Sequence, residues 1–274
     1  EEIAILRLDA DWYESTKICL EKLYAKVVIG GVIIIDDYGC WVGAKRAVDE
    51  FRDKNMILSP LLQTDAEEFY WIKTTDTELC KLGYKYAVDK SPYFGNHTYT
   101  PHYHKLLESK RNEIKVCLEI GIGNTTLMCP LTNKNYKPGA SLRMWRDYFY
   151  NAQIFGADIL DTVLFSEERI STCLLDQSKE ASLENLILTI GTEVDLIIDD
   201  GSHIQEHIIK SFMVLWKIIK PNGLYIIEDI NSSFFDRIKD LPNELHLLDA
   251  SCILTYKGPF LSDNFIVFQK INLL

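Results

Sequence analysis

Several things are scarce in this sequence, and each absence removes a class of function. The seven cysteines (Cys19, Cys40, Cys80, Cys117, Cys129, Cys173 and Cys252) form no Cys-x-x-Cys pair. Zinc and a disulfide framework are therefore not expected, and a reducing, cytoplasmic location is. No basic-then-apolar leader opens the chain. The longest apolar run is interrupted by Gly30 and Gly31 and is too short to span a bilayer, so no membrane partner is expected. A basic stripe is missing too: the net charge is −11, which argues against a nucleic-acid partner. No GxxxxGK[ST] loop is present, which disfavours ATP or GTP. Gly121 and Gly123 are followed by Asn124, Thr125 and Thr126, so a nicotinamide-type GxGxxG turn lacks its third glycine. The first residue is not Met and residues 3–8 already read as a strand, so the chain is expected to be a fragment that begins inside a fold.

What is present is ordinary for a globular protein: 274 residues, 47% hydrophobic and 25% charged. That length suits one large domain or two smaller ones. After Lys110 the chain alternates strands and helices. "IKVCLEIGIG" (114–123), "AQIFGADI" (152–159), "ISTCLLDQ" (170–177), "VDLIIDDG" (194–201) and "GLYIIEDI" (223–230) read as buried strands. Near-continuous Ile, Leu and Val in such short runs suits parallel strands covered on both faces. Ile204, Ile208, Phe212, Leu215 and Ile219 fall at helical spacing, and Pro221-Asn222-Gly223 is expected to stop that helix. "CILTYKG" and "NFIVFQKI" read as a final antiparallel pair. The fold class is α/β, with a doubly wound, Rossmann-like and mostly parallel sheet over residues 113–274.

Residues 1–75 read as strand, helix, glycine turn, strand ending in acids, helix, and two short strands. From Asp9 to Asp36 is 27 residues, and from Asp200 to Glu228 is 28. This resembles a diverged internal repeat whose N-terminal copy, a truncated α/β half-domain, lacks its first three strands. Residues 76–112, rich in Tyr and His, connect the two.

In open α/β sheets ligands lie beyond the carboxyl ends of the strands. Glu119, Gly121 and Gly123 end the first strand, and glycines there let a ligand approach the backbone. Asp158 ends the second, where an acid can accept ribose hydroxyls; a solvated loop acid is the plainer reading. Asp176 and Gln177 end the third, where an adenine edge can be read; a helix cap is the alternative for Asp176. Together these form the pattern of an adenosine-containing cofactor. Asp200, Glu228 and Asp229 end the fourth and fifth strands. Three carboxylates on neighbouring strand ends repel unless neutralised, and oxygen ligands suit Mg²⁺ or Mn²⁺. Asp200 as a helix cap is the competing reading and leaves two acids unexplained. His203 follows Asp200 by three and is a candidate base or a structural histidine. His97, His102 and His104 are expected to flank a pocket rather than to bind zinc.

"LEIGIGN", "GASLRMWRDYF" (139–149), "LIIDDGSH" and "GLYIIEDI", with the lead-in "DKSPYFGNHTYTPHYHKLL", resemble the metal-dependent sugar O-methyltransferases of macrolide biosynthesis, the mycinamicin group, over roughly residues 84–274. "LRLDADWYESTKICLEKLY…GGVIIIDDYGCWVGAKRAVDEF" resembles a neighbouring family, the macrocin O-methyltransferases, over the C-terminal half of that fold only. The resemblance implies S-adenosylmethionine as methyl donor and Mg²⁺ as cofactor. It implies Asp200, Glu228 and Asp229 as metal ligands, His203 as general base, and Glu119, Gly121, Asp158, Asp176 and Gln177 as cofactor contacts. Ser141 and Arg143 lie in a family insertion, at the methionine end of the cofactor or at an adjacent subunit. In the N-terminal copy Asp9, Asp36 and Asp37 match metal ligands and Asp11 a base, but the cofactor strands are missing. That copy is expected to be a non-catalytic half-domain that packs on the catalytic domain or helps to form a homo-oligomer.

The expected activity is methylation of a sugar hydroxyl in a glycan, a polysaccharide or a glycosylated natural product. The alternative is a non-catalytic scaffold or interaction protein with residual cofactor binding.

Overall fold

The computed structural model describes residues 2–55, 57, 59–74, 77–94, 97–132, 136–258 and 263–272. Gly95 and Asn96 of the lead-in motif lie outside them. Two sheets organise the chain. The first uses β1 (Ile3–Leu8), α1 (Tyr13–Leu23), β2 (Val27–Ile35), α2 (Val42–Lys54), β3 (Leu62–Gln63) and β4 (Phe69–Ile72), with strand order β1-β2-β4-β3. Its core is built from Leu6, Leu8, Leu20, Ile33, Ile35, Val48 and Trp71. The apolar residues of β1 and β2 face α1 and α2, and burial of that face holds the unit together.

Two helices follow: α3 (Glu78–Tyr86) and α4 (Tyr99–Leu107). The connecting segment of the sequence reading is therefore structured. Leu79, Tyr99, Tyr103 and Leu107 are fully buried in the same core as the second sheet. Thr77 caps α3 by accepting from the Cys80 amide.

The second sheet comprises β5 (Val116–Ile120), α5 (Thr125–Thr132), α6 (Ala140–Tyr148), β6 (Gln153–Asp158), β7 (Ser166–Glu167), β8 (Ile170–Leu174), α7 (Glu180–Ile190), β9 (Val194–Asp199), α8 (Gln205–Leu215), β10 (Ile219–Ile227), α9 (Ser232–Lys239), α10 (Leu241–Glu244), β11 (Ala250–Lys257) and β12 (Asn264–Lys270). Its order is β11-β12-β10-β9-β5-β6-β8-β7. The strands β8, β6, β5, β9 and β10 are parallel, so their carboxyl ends share one edge. Strand order reverses between β6 and β9 around β5, and a crevice opens at that point. Among the described residues no helix is long and apolar enough to cross a membrane.

One sequence expectation is corrected. The helix expected to run to Ile219 ends at Leu215, and Ile219 already pairs with Val194 in β10. Pro221-Asn222-Gly223 does not stop a helix but forms an irregularity inside β10, with Asn222 at φ 65°. Six residues of β10 (219 to 224) pass opposite three of β9 (194 to 196), so proline's missing N–H breaks no ladder bond there. The first sheet repeats this feature. Ile3 pairs with Val27 and Ile5 with Val32, and Gly30 lies at φ 83°. The order β1-β2-β4-β3 matches β9-β10-β12-β11, parallel pair and antiparallel pairs alike.

Candidate active site

The turn after β5 is shaped by the protein's own close contacts. Gly121 lies at φ 95°, and a Cβ there would sit 2.0 Å from the Asp200 carbonyl oxygen. Gly123 lies at φ 75°, with the Tyr136 hydroxyl 2.6 Å from where its Cβ would be. These glycines thus let β5 and β9 close on each other and admit Tyr136, which donates to the Ile122 carbonyl at 2.9 Å. Both line a cavity of about 460 Å³, together with Lys90, His97, Ser141, Asp158, Asp200, His203 and Asp229. An adjoining cavity of about 280 Å³ shares Gly121, Asp158 and Gly201 and adds Asp176, Gln177 and His207.

Asp158 accepts from the Ile122 amide at 2.8 Å and from the Leu160 amide at 2.9 Å, which pins the glycine turn. A carboxylate has about four acceptor positions, so two remain for a ligand in the cavity. Asp176 caps its own turn: Ser178 and Lys179 bond its carboxylate and hold its pKa down at about 2. Gln177 is committed inward, which removes it as a free reader of an adenine edge. Its amide donates to Asp199 at 2.8 Å and Ser211 at 3.1 Å, and its oxygen accepts from the Ser202 amide at 2.9 Å. Glu119 is fully buried beneath the cavity, and neither carboxylate oxygen has a hydrogen bond. Ser141 and Trp145 are polar neighbours outside bonding geometry, and the Lys90 ammonium is 3.6 Å away. Burial pushes the Glu119 pKa up to about 7.

At the ends of β9 and β10, Asp200, His203 and Asp229 each present a ligand atom within 4.8 Å of the others. His203 Nε2 is 3.9 Å from Asp200 Oδ1 and 3.9 Å from Asp229 Oδ2. His203 (φ 55°) and Asp229 (φ 51°) are both in the left-handed region, an unusual backbone for these side chains that the surrounding fold sustains. Glu228 is not part of this convergence. Its Oε2 accepts from Lys90 at 2.5 Å and its Oε1 from the Tyr103 hydroxyl at 2.7 Å. Lys90 also donates to Asp200 Oδ2. The Tyr99 hydroxyl donates to Asp229 Oδ1 at 2.6 Å. Burial raises the pKa of Glu228 and Asp229, and neighbouring acids add to the rise. Burial opposes the Lys90 charge, but Asp200, Glu228 and Glu119 outweigh it and hold its pKa well above the ordinary value.

The donor set fits the groups expected from sequence. Carboxylate oxygens converging with one imidazole suit a hard divalent cation. The buried Glu119 carboxylate makes no hydrogen bond and pairs only at 3.6 Å with the Lys90 ammonium, so it could also take part of a ligand ammonium's charge.

Lys90, Tyr99 and Tyr103 escaped the sequence reading. The signals were present: a lysine beside Asp89 in the lead-in, and two tyrosines four apart on one helix face. His97 was expected only to flank a pocket. It does so with its Nδ1 3.2 Å from Asp263 Oδ1 and its Nε2 3.7 Å from Asp229 Oδ2. His102 packs on Tyr256 and His104 on Tyr148, so the three histidines do not gather. Ser141 lines the cavity, whereas Arg143 is taken up by Glu167 and the Pro138 carbonyl.

At the N-terminal strand ends, Asp9, Asp11 and Asp37 present ligand atoms within 4.8 Å. Asp36, the expected third ligand, pairs instead with the exposed Arg7 at 2.6 Å.

The parallel order around β5, closed by antiparallel β12 between β10 and β11, is that of the Rossmann-like class I methyltransferases. Residues 1–73 match the family model for macrocin O-methyltransferase (TylF). The chain is 36% identical over 157 residues to the 8-demethyl-8-alpha-L-rhamnosyl tetracenomycin-C 2'-O-methyltransferase of Streptomyces olivaceus, covering 57% of this chain and 39% of that protein. It is 36% identical over 162 residues to the mycinamicin VI 2''-O-methyltransferase of Micromonospora griseorubida, covering 58% and 37%. The chain thus spans under half the length of these curated relatives. A solved structure of MycE methyltransferase from the mycinamycin biosynthetic pathway, in complex with Mg, SAH and mycinamycin VI, superposes with a TM-score of 0.57 at 22% identity, over 88% of this chain and 73% of that one. The resemblance to sugar O-methyltransferases noted in the sequence therefore holds in both regions.

Proposed function

We propose that this protein is an S-adenosylmethionine-dependent, Mg²⁺-dependent O-methyltransferase that methylates a sugar hydroxyl of a glycan, polysaccharide or glycosylated natural product. The observation that carries the reading is the convergence of Asp200, Asp229 and His203 on a cavity floored by the β5 glycine turn and Asp158. The names of curated relatives support it: both are O-methyltransferases, and one is named for a rhamnosyl tetracenomycin.

S-adenosylmethionine supplies an electrophilic methyl group, and a divalent cation lowers the pKa of a coordinated hydroxyl. The remaining work falls to this chain's residues. Asp158 accepts the ribose hydroxyls, and Glu119 faces the methionine ammonium. Asp176 and Gln177 wall the adjoining cavity for the adenine. Asp200 and Asp229 would hold the cation, with Glu228 as a third ligand if Lys90 releases its Oε2. His203, at the rim of the cavity, takes the proton from the sugar hydroxyl. The N-terminal unit is read as a non-catalytic half-domain, because Asp36 is engaged by Arg7 instead of joining the acids at its strand ends. A reducing, cytoplasmic location agrees with seven unpaired cysteines.

The test is transfer of labelled methyl from S-adenosylmethionine to a panel of glycosides in the presence of Mg²⁺. Methylated glycoside is the expected product. Cofactor binding without transfer to any glycoside would favour the scaffold reading.

A further inference from the structure

Asp200, Glu228 and Glu119 already share a cation. Lys90 is only 2% exposed, yet it comes from the lead-in rather than from the sheet. Its ammonium donates to Asp200 Oδ2 and to Glu228 Oε2 and lies 3.6 Å from Glu119 Oε1. Its backbone is tied down, because its carbonyl accepts from the Tyr99 and Thr100 amides at the start of α4. Both oxygens of Glu228 are occupied, one by Lys90 and one by Tyr103. For Glu228 to ligate a metal, one of those partners has to release it. Tyr103 is fully buried against Trp145 and Phe265 and has no room to turn. Lys90 sits in the cavity wall on a long stem with rotatable bonds, so it is the partner that can move. An ammonium and a divalent ion sharing Asp200 and Glu228 would repel each other at close range.

We propose that Lys90 is a built-in counter-cation that holds Asp200 and Glu228 together while no divalent ion is bound, and that it competes with that ion for them. This rests on the metal-dependent reading above, but it concerns cation exchange and not methyl transfer. Lys90 is a positioning residue: it acts through the acids. Removing it should leave buried carboxylates uncompensated, which is strongly destabilising until another cation arrives.

The experiment compares the full chain with Lys90→Met, with and without saturating Mn²⁺. Melting temperature and the free-Mn²⁺ electron paramagnetic resonance signal are the readouts. Metal-free Lys90→Met should melt below the wild type. Mn²⁺ should raise its melting temperature by more than that of the wild type, and it should bind Mn²⁺ at least about tenfold tighter, because the competitor is gone. Equal or weaker Mn²⁺ affinity in Lys90→Met, or the same Mn²⁺ shift in both proteins, would overturn the proposal. If Lys90→Met does not fold without metal, Lys90→Met with Glu228→Gln removes one charge of each sign and should fold metal-free. A double variant as unstable as the single one would show that charge balance is not the reason for Lys90. Methyl transfer is assayed on the wild type in parallel. Mn²⁺ competition without any methyl transfer would sink the functional reading and leave this one standing.

Discussion

Strands β2 and β10 carry the same bulge at the same place: Gly30-Gly31 in one, Asn222-Gly223 in the other. Both then end in a pair of acids, Asp36-Asp37 and Glu228-Asp229. The partner strands β1 and β9 lead directly into Asp9 and Asp200. What separates the two sites is what covers them. Over the second, the lead-in and α4 place Lys90, His97, Tyr99 and Tyr103 against the acids. Glu228 is thereby 1% exposed and fully bonded. Over the first, no such cover lies among the described residues, and Asp36 reaches out to Arg7, whose side chain is 57% exposed. Similar strand ends become a buried centre compensated by a lysine in one case and, in the other, a more open acidic cluster in which partial burial and Asp11 raise the Asp37 pKa. The difference is made by a segment outside the repeat.

Chelation should break the comparison most completely. If only the covered site works, exhaustive EDTA treatment abolishes methyl transfer, and Mg²⁺ or Mn²⁺ restores it. Full activity after chelation would remove the metal from the mechanism.

Next in size is His203→Ala, expected to lower kcat by about 10²–10⁴, the usual weight of a general base. It should retain Mn²⁺ binding. Loss of Mn²⁺ binding would make His203 a ligand instead, as its convergence with Asp200 and Asp229 also allows. The matched change at the uncovered site, Asp11→Ala, should leave the rate unchanged.

Stability gives a smaller contrast. Tyr103→Phe strips the Tyr103 hydrogen bond from Glu228 Oε1 and should cost about 1–3 kcal/mol in urea unfolding, the penalty for an unsatisfied buried group. Arg7→Ala breaks an exposed, solvent-screened pair and should leave the urea midpoint nearly unchanged. Equal costs would mean that the cover over the second site does not desolvate it.

The smallest effect tests the repeat itself. Gly30→Asn places in β2 the residue that β10 carries at the same bulge. No atom lies within 4 Å of an added Cβ there, and Asn tolerates a left-handed backbone. The expected change in unfolding free energy is below about 1 kcal/mol. A larger loss would show that the two bulges differ in more than sequence.

Much of this was legible in the chain alone, and for a physical reason. Parallel strands buried on both faces are nearly continuous apolar runs. The parallel strands β5, β6, β8, β9 and β10 and the strand-end acids Glu119, Asp158, Asp176, Asp200, Glu228 and Asp229 therefore stood out by local pattern. The end of α8 did not, because Ile219 suits helix and strand equally, and its pairing with Val194 decides between them. The cysteine spacing, the negative net charge and the missing third glycine each excluded a class of function by composition or motif. Side-chain direction was another matter. Gln177 looked free and is bound to Asp199 and Ser211. Glu228 looked like a ligand, yet it faces Lys90 and Tyr103, 138 and 125 residues away in the chain. Local periodicity carries strands, helices and the acids at their ends. Which acid meets a cation, and which cation, depends on how α4 and the lead-in pack across the sheet. Only the tertiary structure could decide that, because the groups that compensate a buried charge come from wherever the fold brings them.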